Sequence, residues 1–409
     1  MLNFIWVLLF LTAFATAGYK LLIMGDHQIF SALMEALFGL SKTSFEIALG
    51  LTGVLSLWMG IMRIGEHSGF IRILAKCLNP LFSRLMPDVP KDHPALGAML
   101  MNIAANMLGL DNAATPMGIK AMQELQTLNT RPSQASNAQI LFLVLNTSAI
   151  TLFPATIFAY RAQLGAANPT DVFIPILIST YMATMSGLLA VAFAQKINLL
   201  DKVILAYLGG LTALVGGILW YFSSLGHAEM LKQSALLSNV VLFSLVMGFI
   251  IAACYQRLNA YELFIEGARE GFQTAVNIIP YLLAMLVAFG VFRASGALEI
   301  VLNAIKVLVN FLQIDNRFID GLPTALMKPF SGSGARAMMI DTMKTHGADS
   351  FAGHLASVVQ GSTETTFYVL AVYFGSVGIN KVRHAVACGI IADLGGILTA
   401  IFVTYWFFG

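Results

Sequence analysis

Long apolar segments separated by short polar ones run along the whole chain. A membrane span needs about 20 mostly apolar residues, and eight segments come close to or exceed that length. They are Leu2–Met24, Phe45–Met62, Ile140–Tyr160, Val172–Phe193, Val203–Phe222, Leu236–Tyr255, Ala275–Phe292 and His384–Phe408. A ninth segment, Ala352–Phe374, is equally apolar except for a polar run, Gln360–Thr366. The pattern predicts an all-α integral membrane protein with about nine transmembrane helices.

Two further apolar stretches, Ala95–Leu128 and Leu322–Met343, are broken by polar and helix-breaking residues. Lipid cannot satisfy the backbone groups that such breaks free, but a protein interior can. We therefore expect two re-entrant or broken helical hairpins, with an ordinary loop between two helices as the alternative for the first. A third stretch, Gly69–Met86, sets basic residues among apolar ones at helical spacing, which is typical of an amphipathic helix in the membrane interface.

The same order of elements occurs twice, which indicates an internal repeat. A glycine-containing turn, a helix, a broken stretch and a polar-patched helix recur at a spacing of about 214 to 227 residues. We divide the chain into an N-terminal helix and loop (1–44), a first repeat (45–195), connecting helices (196–260) and a second repeat (261–409). If neither broken stretch crosses the membrane, the two repeats are inverted. Inverted repeats with broken helices near the midplane are a plan of secondary transporters.

Composition agrees with the pattern and excludes other classes. Apolar residues make up 58% of the chain and charged residues 11%, which excludes both a soluble globular protein and a disordered one. A net charge of +2 without a basic cluster argues against a nucleic-acid partner. Cysteines and histidines are scattered, so neither a disulfide framework nor a metal site is expected.

More than half of the lysines and arginines fall on one side of this topology. The positive-inside rule makes that side cytoplasmic, with the N-terminus on it. The first apolar segment contains Ala15-Thr16-Ala17, which resembles a signal-peptide cleavage site, but no basic residue precedes the apolar run and the run continues to Met24. We expect a first transmembrane helix there rather than a cleaved signal.

Polar side chains within the broken stretches and the helices after them form the candidate solute site. Freed carbonyls can hold a cation, and the amides of a restarting helix can face an anion. The first repeat contributes Asn102, Asn106, Asp111, Asn112, Thr115, Asn146 and Ser148, and the second contributes Lys328, Ser331, Ser333, Arg336, Gln360, Ser362 and Thr363. Two alternatives stay open: an ion pair of Lys328 or Arg336 with Asp341, and hydrogen bonds of Asn146 and Ser148 that only join helices.

Glu364 is a carboxylate within an apolar segment, and such residues usually mark ion or proton pathways. We assign ion coupling, by Na⁺ or H⁺, to Glu364, Thr365, Thr366 and Asp341. No other cofactor is expected.

The motif Asn102-x-x-x-Asn106-x-Leu-Gly-Leu-Asp-Asn-Ala-Ala-Thr-Pro resembles the spore maturation protein A family. The motif Lys328-Pro-Phe-Ser-Gly-Ser-Gly-Ala-Arg336, with Gly361-Ser-x-Glu-Thr-Thr366, resembles spore maturation protein B. The chain looks like a fusion of the two from about Phe45 onward. This resemblance implies a "nucleoside recognition" or gate domain, a plan similar to that of concentrative nucleoside transporters, and a multi-pass protein of the bacterial inner membrane. It leaves the substrate open.

The leading hypothesis is a secondary transporter for a small polar or anionic organic solute, coupled to H⁺ or Na⁺. The alternatives are a non-transporting membrane scaffold and an intramembrane enzyme, for which Ser331 with Lys328 is the only candidate dyad. Besides the solute and the bilayer, a second copy of the chain is an open partner.

Overall fold

A computed structural model describes residues 2–313 and 315–409, without the side chains of residues 2 and 111–113. Within these ranges the regular structure is helical, and an isolated bridge joins Gln134 to Lys381. The helices are α1 (Leu2–Met24), α2 (Ile29–His67), α3 (Phe70–Leu85), α4 (Pro94–Met107), α5 (Asp111–Thr127), α6 (Asn137–Thr147), α7 (Ala155–Gln163), α8 (Phe173–Gln195), α9 (Lys202–Ser223), α10 (His227–Tyr255), α11 (Ala260–Ala294), α12 (Ala297–Phe311), α13 (Leu322–Met327), α14 (Gly332–His346), α15 (Phe351–Ser362), α16 (Thr366–Gly375) and α17 (Ala385–Phe408), with a 3₁₀ turn at Arg317–Gly321.

Seven of the described helices are long and apolar enough to cross a membrane: α1, α2, α8, α9, α10, α11 and α17. The chain is therefore a multi-pass membrane protein. The other two segments in which we expected continuous spans, Ile140–Tyr160 and Ala352–Phe374, are each divided into two short helices. The interruptions fall at residues 148–154, directly after Asn146 and Thr147, and at residues 363–365, within the polar run Gln360–Thr366.

Two helices extend beyond their apolar segments. The expected loop before Phe45 is mostly helical, because α2 begins at Ile29 and buries Ile29 and Leu33 on one face. Likewise α11 begins at Ala260 instead of Ala275. Both extensions are amphipathic, so a search for unbroken apolar runs does not detect them.

The helices α2 and α11 pack along each other with direct backbone contact. A side chain at Gly271 would lie 2.6 Å from the Cα atom of Ser56, and one at Gly60 would lie 2.9 Å from a backbone oxygen of α11. Near the same crossing, Arg63 bonds to Glu266 at 2.6 Å. The absence of side chains at these glycines lets the two longest helices of the protein approach closely.

The amphipathic helix expected at Gly69–Met86 is α3, and α12 is its counterpart in the second repeat. Each begins after a glycine in the left-handed region, Gly69 with φ 74° and Gly296 with φ 85°, a conformation that glycine adopts without steric cost. Basic residues of α3 are exposed, whereas Ile71 and Phe82 are buried.

Two hairpins follow these helices. The first joins α4 to α5 through residues 108–110, and the second joins α13 to α14 through residues 328–331. The glycine-serine run of the second broken stretch starts α14: Ser331 caps the helix by accepting a hydrogen bond from the amide of Gly334 at 3.0 Å. A cap oxygen satisfies one of the free amides of the first turn, which favours helix over turn.

The turns after the two hairpins lie at opposite ends of the bundle. The turn between α5 and α6 bonds to the turn between α16 and α17, where the amide of Asn380 donates to the carbonyl of Ser133 at 3.0 Å. The turn between α14 and α15 instead contacts the segment between α7 and α8, where the amide of Ala167 donates to Asp349 at 2.8 Å. The helices α6 and α7 separate the turn between α5 and α6 from the segment between α7 and α8, which is the arrangement that inverted repeats require.

An arginine strengthens the contact at each end. Arg383 donates to the carbonyl of Ala135 at 3.0 Å, and Arg161 donates to the carbonyl of Ala348 at 2.8 Å. Arg161 is fully buried and also pairs with Asp171 and Asp349, both at 3.0 Å. One end of the bundle is therefore held by a buried charge network and the other mainly by backbone hydrogen bonds.

The turn contact between repeats predicts a disulfide between Ser133→Cys and Asn380→Cys. In a background lacking Cys77, Cys254 and Cys388, this pair should form a disulfide on mild oxidation, detected by the mobility of a chain cleaved between the repeats. The pair Ser133→Cys and Ala167→Cys, at opposite ends, should not. Crosslinking of the second pair but not the first would contradict the inverted arrangement.

Replacing Arg161 with Met should destabilise the protein by roughly 2–4 kcal/mol. Breaking a fully buried ion pair costs about 3–5 kcal/mol, and Asp349 is 43% exposed, which reduces the penalty. Arg383→Met removes a hydrogen bond to a carbonyl and should cost about 1.5 kcal/mol or less. Thermal unfolding in detergent compares the two variants, and equal melting temperatures would contradict the network.

Candidate functional site

Each repeat contains a broken helix, and the two breaks meet. The helix α6 ends at Thr147, and its carbonyl accepts a hydrogen bond from the amide of Glu364 at 2.7 Å. Glu364 lies in the non-helical segment 363–365, so its amide has no partner within a helix. The break in one repeat thus satisfies a backbone group of the other, as a medium without water requires.

Each hairpin tip also bonds to the broken helix of its own repeat. The amide of Leu152 donates to the carbonyl of Met107 at 2.7 Å, and the amide of Phe367 donates to the carbonyl of Pro329 at 3.0 Å. At the first tip, Gly109 has φ 70°, and a side chain there would collide with the carbonyl of Phe153. These contacts have the same form in both repeats.

A cavity of about 710 Å³ lies where the hairpins and the breaks converge. Both repeats line it, and its wall combines polar and aromatic side chains. The polar residues are Asn106, Thr115, Asn146, Ser331, Ser333, Arg336, Glu364 and Thr365, and the aromatic ones are Tyr281, Phe330, Phe367, Tyr368 and Tyr373. Most of the expected solute-site residues that line it come from the two hairpins.

Amide side chains of the first repeat form one wall of the cavity. Asn106 donates to the Oδ1 atom of Asn146 at 2.7 Å, and the Tyr373 hydroxyl donates to the same atom at 3.2 Å. Asn102 lies behind them, fully buried, donating to the carbonyl of Ala114 at 2.8 Å and to the Tyr373 hydroxyl at 3.2 Å. Tyr373, from the second repeat, therefore orients the amides of the first.

The basic residues of the second hairpin have different surroundings. Lys328 is buried and donates to the carbonyl of Gln360 at 2.7 Å. Arg336 lines the cavity, with its guanidinium 5.8 Å from the ring centroid of Tyr160. Such an arrangement keeps the cation in position over an aromatic face.

Asp341 lies outside this cavity. It pairs with Arg293 at 2.6 Å and lines a separate space of about 190 Å³. The described structure therefore places Asp341 in an ion pair with Arg293, where we had considered Lys328 or Arg336.

Glu364 lies in the break itself, not inside a helix as its apolar surroundings suggested, and its side chain is exposed to the cavity. Ser148, Ser362 and Thr363 are buried around the breaks, as is Gln360. The side chains of Asp111 and Asn112 lie outside the described residues.

Three residues of the site region were not identified from the sequence: Asp393, Tyr373 and Arg161. Asp393 is the acceptor for the Thr366 hydroxyl at 2.7 Å and is 1% exposed within α17. A carboxylate in an apolar span was the signal that singled out Glu364, and the same signal was present for Asp393. Tyr373 and Arg161 carry no comparable signal, because both are common at the ends of apolar helices.

One group of side chains has the composition of a metal site. Ligand atoms of Asp171, Asp349 and His354 lie within 4.8 Å of one another. However, the guanidinium of Arg161 lies 3.0 Å from both carboxylates and 3.3 Å from His354. It already supplies the positive charge that a metal ion would bring, so the cluster is an ion-pair network that joins the repeats.

Comparison with known proteins matches both repeats. The sequence profile of the gate family, described as nucleoside recognition, matches residues 48–165 and again residues 275–380. Spore maturation protein A of Bacillus subtilis is 43% identical over 155 residues, which are 38% of this chain and 79% of that protein. Spore maturation protein B of the same organism is 42% identical over 173 residues, which are 42% of this chain and 96% of that protein.

The two profile matches together cover more than half of the chain, and each of the two relatives is matched over most of its own length. The chain therefore belongs to the gate, or nucleoside recognition, family and combines in one polypeptide the equivalents of spore maturation proteins A and B.

Proposed function

We propose that this protein is a secondary transporter of a small polar or anionic organic solute. The observation that carries the proposal is the cavity of about 710 Å³ between the two hairpins and the two helix breaks. Its volume is within the range of about 300–1,000 Å³ that is typical of small-molecule sites. Residues from both inverted repeats line it, and solute sites of secondary transporters typically lie at such a repeat interface.

The inverted arrangement supports alternating access. Each hairpin tip contacts the broken helix of its own repeat through a backbone hydrogen bond, one through Met107 and the other through Pro329. Moving one set of these contacts relative to the long helices α2 and α11 would open the cavity toward one face at a time. An elevator-like or rocking motion is the corresponding mechanism.

The wall of the cavity favours a solute with an anionic group. Asn106 and Asn146 offer amides for neutral polar groups, and Arg336 offers a guanidinium. A guanidinium binds a carboxylate or phosphate through two parallel hydrogen bonds. Glu364, which shares the cavity, is the carboxylate through which a Na⁺ ion or a proton would enter.

The distribution of basic residues supports a position in the bacterial inner membrane with the N-terminus in the cytoplasm. In that orientation the turn between α5 and α6 faces the cytoplasm, and the Arg161 network faces the outside.

A ligand screen followed by an uptake assay tests the proposal. The detergent-solubilised protein is screened by thermal shift against nucleosides, amino acids and carboxylates, with and without Na⁺. We expect one class to raise the melting temperature, since a ligand that binds only the folded state stabilises it. Proteoliposomes should then accumulate that ligand under an ion gradient. A ligand that binds but is never taken up would favour the scaffold hypothesis.

Arg336→Lys tests the charge of the solute. An anionic ligand should bind more weakly, by roughly tenfold or more, because losing one charge-assisted hydrogen bond is worth about 1.5–3 kcal/mol. Arg317→Lys, in the exposed loop before α13, is the matched control and should leave the affinity unchanged. Binding titrations on both variants measure the effect, and equal affinity in Arg336→Lys and wild type would reject the anion assignment.

A further inference from the structure

Asp393 is a carboxylate within a membrane-spanning helix. It lies in α17, one of the seven long apolar helices, and is 1% exposed. Burying a charge away from water is expensive, so such residues usually mark an ion or proton site. The mechanism proposed above does not use it.

The two oxygens of Asp393 differ in their partners. The Oδ2 atom accepts a hydrogen bond from the Thr366 hydroxyl at 2.7 Å. The Oδ1 atom is buried and has no hydrogen-bond partner among the described residues. The hydroxyl of Thr363 lies beside the carboxylate, in reach of it but outside ideal hydrogen-bond geometry. The Thr363 hydroxyl can donate to the Oδ1 atom of the ionised carboxylate, and a proton added to Oδ1 would reverse the direction of that bond, so both forms of Asp393 can be accommodated here.

Glycines bring α17 against the helix break. A side chain at Gly389 would lie 2.7 Å from the Thr366 methyl carbon, and one at Gly396 would lie 2.8 Å from the Thr363 methyl carbon. Between these threonines, Glu364 and Thr365 line the solute cavity. The break therefore forms a thin partition, with the cavity on one side and Asp393 on the other.

A fixed cation already occupies the neighbouring helix end. The ammonium of Lys328 donates to the carbonyl of Gln360 in the last turn of α15, where the helix dipole is negative. Lys328 is 3% exposed and lies close enough to interact with the charge of Asp393. A sodium ion at the same carbonyls would have to share the site with a buried ammonium, whereas a proton on Asp393 needs no such space.

The other charged and titratable groups around Asp393 are few. Glu364 is one of them, because its carboxylate lies close enough to interact electrostatically with that of Asp393. The helices α6 and α8, which pack against α17, contain no acidic or basic residue. The titratable residues of α16 are Tyr368 and Tyr373, and both line the cavity. The charged residues of α10 and His354 of α15 lie near the starts of their helices.

We propose that Asp393 is the proton-binding site of this protein and that protons, not sodium ions, are its coupling ion. The proton adds to the Oδ1 atom and forms an O–H bond, which donates to the Thr363 hydroxyl oxygen. Its release restores the carboxylate, and no other bond changes.

Proton binding links Asp393 to the solute. When Asp393 becomes neutral, one negative charge near Lys328 is lost, so the region behind the cavity becomes more positive and favours an anionic solute. Release of the proton reverses that preference. Proton and anion would therefore be transported together in the same direction. This coupling rests on the proposed transport function, whereas the proton site itself does not.

Infrared difference spectroscopy of the protein in lipid, between acidic and alkaline pH, tests the site without a solute or a transport assay. Wild type should show the carbonyl band of a buried carboxylic acid that disappears as the pH rises. Asp393→Asn should lose this band. Glu364→Gln, which removes the neighbouring carboxylate, and Asp341→Asn, which removes the carboxylate paired with Arg293, should retain it.

If Asp393→Asn does not fold, Thr366→Val gives a second test, because it removes the hydroxyl that bonds to Asp393 and should move the midpoint of the band without abolishing it. A band that survives in Asp393→Asn, or no band in wild type, would overturn the proposal. So would a melting temperature raised by Na⁺ over choline in wild type but not in Asp393→Asn, which would assign the site to sodium. Failure of uptake assays with the band intact would reject transport and leave the proton site in place.

Discussion

The fold depends on one constraint: every backbone group inside the membrane must find a partner without water. Two helices are interrupted, at residues 148–154 and 363–365, and the interruptions leave backbone amides and carbonyls without helical partners. These groups form hydrogen bonds with the other interruption and with the hairpin tips. The bond from the amide of Glu364 to the carbonyl of Thr147 joins the two repeats at this point. The cavity exists because these exchanges hold four irregular segments together where continuous helices would have closed the space.

The two repeats share a plan but differ in their chemistry. The first supplies amides, Asn106 and Asn146, and the second supplies the charges of Lys328, Arg336 and Glu364. The helices behind the breaks differ in the same way. In α8 the hydroxyl of Thr184 bonds to the carbonyl of Ser148, whereas in α17 a carboxylate, Asp393, accepts from Thr366. Among the side chains that the structure describes, the polar and the ionic functions of the site are thus divided between the repeats.

Much of this arrangement could be predicted from the sequence, because it depends on patterns that the chain displays directly. Apolar length identified the unbroken spans, and the clusters around Asn106 and Ser331 identified the hairpins. The amphipathic extensions of α2 and α11 were missed because their apolar residues are spaced for one helix face and are not continuous.

Partnerships between distant residues could not be predicted. Arg161 contacts Asp349 from 188 positions away, and Tyr373 contacts Asn146 from 227 positions away. Neither pairing leaves a local signal. The partner of Asp341 was missed for the same reason: it pairs with Arg293 and not with Lys328 or Arg336. A sequence shows which charges are present but not which of them the fold brings together.

The glycines at the crossing of α2 and α11 also limit how the protein can move. At Gly271 and Ser56 the two backbones are in direct contact, with no side chains between them. If one helix moved along its axis, the side chain of a neighbouring residue would collide with the backbone of the other helix. The pair of Arg63 with Glu266 holds the register of the same crossing. The two long helices therefore form a fixed frame, and any displacement of the hairpins has to occur as a rigid movement against that frame.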